Sequence, residues 1–331
     1  MKKDNIHSIA VIGPRADFVV SDWYAGTPPY KVSILDGIKN SVGSEVAIHY
    51  AQGNKADSAV IAAKESDVVI VCIGNHPLSY GLGWGLNYVS SDGREAIDRQ
   101  AITLEEEDLV KLVMVANPKT VLVLVASFPY AITWSKDHVP AILQVTHSSQ
   151  ELGNGIADIL FGKESPSGRL VQTWTESIDQ LLPILDYNLR DGRTYMYDRH
   201  KPLFPFGYGL TYTTFEYSGL SPSRPTIKDG EEINISLNIK NTGQVSSDEV
   251  AQLYVSFPDS KVSRPIKELK GFKRINIPAG EAKAVTIPLK ADDLRYWDTG
   301  KHAWALEKGK IHIMVGASSE DIRLNGDIEA Q

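Results

Sequence analysis

The sequence predicts an α/β domain built on a doubly wound, mostly parallel sheet, followed by an all-β antiparallel sandwich. Three observations lead there. Short Val- and Ile-rich runs in the first half are apolar almost throughout, the pattern of strands buried on both faces. Helical patterns stand between those runs, and such alternation implies right-handed crossovers around one sheet. From about residue 232 the hydrophobic period falls to two, the mark of half-buried strands.

The parallel strands are expected at SIAVIG (8–13), EVAIHY (45–50), DVVIVCIG (67–74), TVLVLVAS (120–127) and AILQVTH (141–147). Helices are expected at SILDGIKNSV, ADSAVIAAKES, TLEEEDLVKLVMVA and QELGNGIADILFG. In the third helix Leu104, Leu109, Leu112 and Val113 keep helical spacing, and Thr103 with Glu106 has the form of a capping box. In EINISLNIK the residues Ile233, Ile235, Leu237 and Ile239 alternate with polar neighbours. VAQLYVSF, AKAVTIPL and KIHIMVG repeat that habit between the turn signals NTG, PAG and EKG, as in a sandwich of about 100 residues. The expected division is 1–192 for the α/β part, 193–222 for a connector dense in aromatics, Gly and Pro, and 223–331 for the sandwich. The connector is too apolar for a free linker and is expected to pack against something.

Composition narrows the function. A chain of 331 residues, 42% hydrophobic and 23% charged, has ample material for buried cores. A net charge of −7 with scattered basic residues speaks against nucleic acid or an anionic membrane as partner. Cys72 is the only cysteine and sits inside an apolar strand, which reads as core. The opening MKKDNIHSIAVIG lacks the apolar length and cleavage site of a signal peptide, and 121–134 is too short to span a bilayer. A soluble chain is expected.

In a doubly wound sheet, ligands bind beyond the carboxyl ends of the strands. The long stretch after DVVIVCIG, residues 75–100, is therefore the candidate site: NHPLSYGLGWGLNYVSSDGREAIDRQ. Its His76, Tyr80, Trp84 and Tyr88 suit a sugar, whose C–H faces stack on rings while its hydroxyls seek acceptors. Glu95 fits a general acid if partial burial raises its pKa. From spacing alone it reads rather as a solvated carboxylate at a helix start, where negative charge is favoured. Asp98 and Arg99 read as a structural ion pair.

Rival motifs fail. The glycines of GLGWG (81–85) stand six residues beyond the strand and no helix follows directly, unlike a phosphate-binding loop. His147 beside Ser148 and Ser149 is adjacency, not nucleophile–base geometry. The histidines show no metal-ligand spacing, so neither metal nor cofactor is expected.

IAVIGPRAD, DWYAGTPPY, DVVIVCIG, EAIDR, SSQELGNGIADILFG, SPSGRL, PLFPFGYGLTYTTFEY, NTG, EVAQLYV, KELKGFKRI and VGASSEDIRL stand in this order along nearly the whole chain. Together they resemble the C-terminal part of glycoside hydrolase family 3, the β-glucosidase and β-xylosidase group. DWYAGTPPY and SDGREAIDR look closest to its xylosidase-like branch. The resemblance implies an α/β sandwich and then an immunoglobulin/fibronectin type III-like sandwich, without the family's N-terminal barrel. It implies hydrolysis of terminal β-linked sugars, with oligosaccharides or aryl glycosides as substrates.

The family's nucleophile is an aspartate of the barrel in an SDW-type motif, which FVVSDW at 18–23 imitates. Asp22, however, follows IAVIGPRAD and precedes YAGTPPY, both pieces of the sandwich domain, so it reads as a loop residue. In many members the acid/base is a glutamate three residues before an Asp-Arg pair, which Glu95 of EAIDR matches. Asp92 is the fallback donor, and His76, Tyr80, Trp84 and Trp23 are the expected sugar contacts. A retaining pair needs two carboxyl groups roughly 5 Å apart, so this chain is expected to be half an active site, inactive alone, with a barrel or a second copy of itself as partner. Two alternatives stand beside this: a carbohydrate-binding or interaction module using Trp84, Tyr80 and Trp23, and a stand-alone hydrolase using Asp22 and Glu95.

Overall fold

Strand β1 (Ser8–Ile12) lies inside the first sheet, between β2 (Ala47–Ala51) and β3 (Val68–Gly74), with β4 (Thr120–Val125) and β5 (Ala141–Val145) beyond β3. The computed structural model describes residues 1, 5–19, 26–53, 55–75, 102–147 and 150–331. Among these residues every neighbouring strand pair of this sheet is parallel, in the order β2-β1-β3-β4-β5.

The apolar runs mean full burial only in the middle. All of β3 is buried, as is nearly all of β1 and β4. Strands β2 and β5 are half-exposed although their sequences look the same. Among the described residues they are the outer strands, with one hydrogen-bonded neighbour each, and their side chains are partly exposed.

Helices cover both faces. α1 (Ile34–Val42) and α5 (Leu152–Leu160) pack on one side, where Ile34, Ile38, Leu152 and Ile156 meet Ile9, Val11, Ile70 and Cys72. α2 (Ala56–Lys64) packs with α3 (Glu107–Ala116) and against β1. Ser33 caps α1 by accepting a hydrogen bond from the Asp36 amide at 3.1 Å.

The expected capping box of α3 does not form. The helix begins at Glu107, and Glu106 at its N-cap makes no side-chain capping bond. The Glu106 carboxylate instead accepts from the Gly74 amide at 2.8 Å, a stronger claim because it satisfies a donor at the end of a buried strand. Glu107, itself buried, accepts from the backbone and hydroxyl of Ser135 at 3.0 and 2.7 Å, fixing the short α4 (Thr133–His138).

Residues 1–164 with 175–178 form this unit; 165–174 with 179–331 form a second. After α6 (Thr194–Tyr197) the second unit carries β6 (Phe215–Pro222), β7 (Thr226–Ile227), β8 (Glu232–Asn241), β9 (Ser247–Ser256), β10 (Glu268–Ile277) and β11 (Ala282–Lys290). A small ribbon, β12 (Tyr296–Asp298) with β13 (Ala303–Ala305), precedes β14 (Gly309–Gly316) and β15 (Ile322–Ala330). One sheet has the order β10-β9-β14-β15-β7, the other β11-β8-β6. Between them lies a core to which β8 gives Ile233, Ile235, Leu237 and Ile239, the four alternating positions of its sequence.

The aromatic connector packs onto this unit. Tyr195 stacks on Phe206 at 4.4 Å between ring centres and meets Tyr254 edge-on at 5.9 Å. Its hydroxyl accepts from the Leu269 amide at 3.1 Å, while Gln252 donates to the Gly207 carbonyl at 3.1 Å. Among the described residues no helix is long and apolar enough to cross a membrane.

Candidate active site

The strand order places a topological switch between β1 and β3: the chain continues to β2 on one side and to β4 and β5 on the other. Connections that diverge in this way open a crevice beyond the carboxyl ends of the two strands, the usual ligand site of such sheets. Both segments with candidate residues follow those two ends. Residues 76–101 follow β3 at once, and 20–25 follow β1 through 13–19. His76, Tyr80, Trp84, Asp92 and Glu95 belong to the first segment, Asp22 and Trp23 to the second. All of them lie outside the described residues.

That framework is tightly drawn. At φ +144°, Gly74 lets the end of β3 press on its neighbour; a Cβ there would stand 1.8 Å from the Val125 carbonyl oxygen. Gly13, after β1, has φ +120°, and a Cβ there would stand 2.2 Å from the Cys72 oxygen. The Gly74 amide donates to Glu106, and its carbonyl accepts from Nε of Arg15 at 3.2 Å. Arg15 is buried, and its own amide donates to the Cys72 carbonyl at 3.1 Å. A buried guanidinium thus ties the turn after β1 to the end of β3.

Asn75, fully buried, is the last described residue before 76–101. Its amide N–H donates to the Val125 carbonyl at 3.0 Å. Its side chain donates to Ser127 Oγ at 3.0 Å and accepts from the Ser127 amide at 3.0 Å. Its carbonyl accepts from His147 Nε2 at 3.0 Å, so the proton of that bond is on Nε2. At the far end of the segment, the Ile102 carbonyl accepts from the Ala131 amide at 3.1 Å and Leu104 is buried. Both ends are tied into the unit by hydrogen bonds, the first beside the ends of β3 and β4 and the second to the loop before α4.

Arg15, Asn75, Ser127 and His147 are framework residues that sequence reasoning missed. An Asn directly after a wholly apolar strand was the available signal, since a polar side chain there must find partners or be exposed. Cys72 is wholly buried, and burial pushes its thiol pKa far up, in keeping with a core residue. Among the described residues no cluster of three or more His, Cys, Asp or Glu side chains is placed to hold a metal. A cavity of about 310 Å³ opens in the second unit at the turns around Asn241 and Gly280. The Asn241 amide is already spent on the Val245 and Ile277 carbonyls, so that hollow offers little chemistry.

Residues 1–212 match the glycosyl hydrolase family 3 C-terminal domain, and residues 249–319 match the fibronectin type III-like domain. The beta-xylosidase of Formosa agariphila is 33% identical over 95% of this chain and 45% of its own length. The periplasmic beta-glucosidase of Salmonella typhimurium is 32% identical over 96% of this chain and 45% of its own. Among solved structures, a beta-D-glucoside glucohydrolase from Trichoderma reesei superimposes with a TM-score of 0.86 at 29% identity, covering 100% of this chain and 52% of that one. The chain spans about half the length of the curated relatives it matches. It belongs to glycosyl hydrolase family 3, carrying the family's C-terminal domain followed by a fibronectin type III-like domain.

Proposed function

We propose that this chain is the C-terminal portion of a retaining β-glycosidase, of β-xylosidase or β-glucosidase type, and that Glu95 is its general acid/base. The nucleophile belongs to a barrel domain that is not in this sequence. In the first step protonated Glu95 gives its proton to the glycosidic oxygen as the barrel carboxylate attacks the anomeric carbon and the leaving group departs. In the second, the Glu95 carboxylate takes a proton from water, which displaces the nucleophile and releases the sugar with its configuration retained. Tyr80, Trp84 and Trp23 stack on the sugar, and His76 binds a hydroxyl. Asp92 is the substitute donor if Glu95 is not the acid.

The observation that carries this reading is the departure of 76–101, anchored at both ends, from the switch point of a family 3 domain. The names of the relatives supply the substrate class. The test joins this chain to the part of the Formosa agariphila enzyme outside the match and follows an aryl β-xyloside by proton NMR. The β-anomer is expected as first product, with no turnover by this chain alone above a blank. First release of the α-anomer would refute retention. Turnover by the chain alone, abolished by Asp22→Asn, would establish the stand-alone hydrolase in its place.

A further inference from the structure

Residues 181–189 of the second unit invert the usual polarity of a loop. Their polar groups are spent on one another and on the adjoining turns. The Asp186 amide donates to the Pro183 carbonyl at 2.9 Å, and the Asn188 amide to the Asp186 carboxylate at 3.0 Å. Arg193 donates to the same Pro183 carbonyl at 2.7 Å. The Asn188 side chain in turn caps the following turn, accepting from the Arg190 amide at 3.2 Å. The apolar side chains face outward instead: Ile184 is 80% exposed, and Leu185 and Tyr187 are each 82% exposed, with Leu181 and Leu189 also exposed.

Such a run is unusual on the free surface of a soluble domain. Its shape is already fixed by short-range hydrogen bonds, so covering it costs little ordering entropy. In the aromatic connector Tyr195 stacks on Phe206 and meets β9 and β10, whereas 181–189 presents Ile184, Leu185 and Tyr187 outward, each at least 80% exposed. A predominantly aliphatic surface is what permanent interfaces bury, whereas transient ones are more polar. More than half of each curated relative lies outside its match to this chain, which supplies an occupant of sufficient size.

We infer that residues 181–189 are a docking surface for the portion of the family's longer members that this sequence does not contain, with Ile184, Leu185 and Tyr187 as its anchors. The inference rests on the proposed barrel partner, but its test does not depend on catalysis.

Because Cys72 is buried, Leu185→Cys creates a single reactive thiol on an exposed side chain. Maleimide labelling of that variant is expected to be fast in this chain alone. It is expected to slow at least about tenfold when the chain is joined to the unmatched part of the Formosa agariphila enzyme. A cysteine at Phe272, 65% exposed on β10, should label at the same rate in both. Equal rates for Leu185→Cys with and without the added part would overturn the proposal, as would equal protection at both positions. Protection in the chain alone that grows with its concentration would assign the surface to a second copy and overturn it as well. If the joined protein is insoluble, hydrogen exchange on the full-length Formosa agariphila enzyme decides. Its segment aligned with 181–189 should exchange more slowly than the same segment of this chain, and equally fast exchange would contradict the inference. A protected surface combined with activity indifferent to Glu95 would sink the acid/base assignment while leaving the docking surface in place.

Discussion

Asn75 and Ser127 hold each other through two hydrogen bonds of 3.0 Å, one in each direction, at the carboxyl ends of adjacent parallel strands. Asn75→Ala leaves the Ser127 amide without this acceptor inside a buried site. The expected cost is about 1–3 kcal/mol, read as a lower urea midpoint with unchanged slope. A loss below about 0.5 kcal/mol would mean that the pair does not anchor the 76–101 segment.

Gly74 and Gly155 make a matched test of space. Gly74→Ala forces a Cβ to within 1.8 Å of the Val125 oxygen at φ +144°, and is expected to cost more than about 3 kcal/mol. Gly155 lies within α5 with nothing inside 4 Å of its would-be Cβ. Gly155→Ala should stabilise by about 0.5–1 kcal/mol through helix propensity. Thermal unfolding of both variants checks the contrast, and similar effects of the two would contradict it.

In the second unit Arg169 pairs with buried Glu249 at 2.9 Å, and Tyr217 donates its hydroxyl to the same carboxylate at 2.7 Å. Burial, reinforced by the Glu249 charge, raises the Tyr217 pKa far above its ordinary value, so the phenol stays a donor throughout the working pH range. Arg169→Ala strands a buried carboxylate and is expected to cost about 3–5 kcal/mol. Tyr217→Phe should cost less, about 1.5–3 kcal/mol, because the ion pair survives it. Chemical denaturation that ranks the two the other way would show the arginine to be dispensable.

Asp67 accepts from the His7 and Ser8 amides at 2.7 and 3.0 Å, clamping the start of β1 to the start of β3. Those backbone bonds pull its pKa below the ordinary aspartate value. A depressed folded-state pKa gives stability that is complete above the unfolded value and fades as pH falls through the folded one. Asp67→Asn is therefore expected to reduce the drop in melting temperature between about pH 7 and about pH 3. An unchanged drop would show that the clamp carries no linkage.

Period and composition made much of the fold legible. β8 announces itself through four aliphatic residues at alternate positions, and β3 through seven apolar or small residues in a row. β10 does not, because Lys270, Lys273 and Arg274 interrupt an edge strand whose register shifts between Leu269 and Gly271. α4 has six residues, too few for a helical period to show. Glu106 misleads because its partner, Gly74, is 32 positions away, and the Asn75 bonds to Ser127 and His147 link residues 52 and 72 positions apart. Strand order is just as hidden: nothing local in SIAVIG or DVVIVCIG says that these two runs are neighbours. The crevice between them follows from that order alone.

Glu95 is the center of the functional proposal, and the most direct measurement compares leaving groups in the Glu95→Ala variant joined to a barrel that carries its own nucleophile. An activated phenolate departs without a proton, whereas a poor leaving group needs one. The variant is expected to lose about 10²–10⁴-fold on poor leaving groups and much less on activated phenols. Added azide should restore part of the rate by intercepting the glycosyl-enzyme, whose hydrolysis otherwise needs Glu95 as base. Equal losses on both substrate types, with no rescue by azide, would contradict the assignment and turn the search for the proton donor to Asp92.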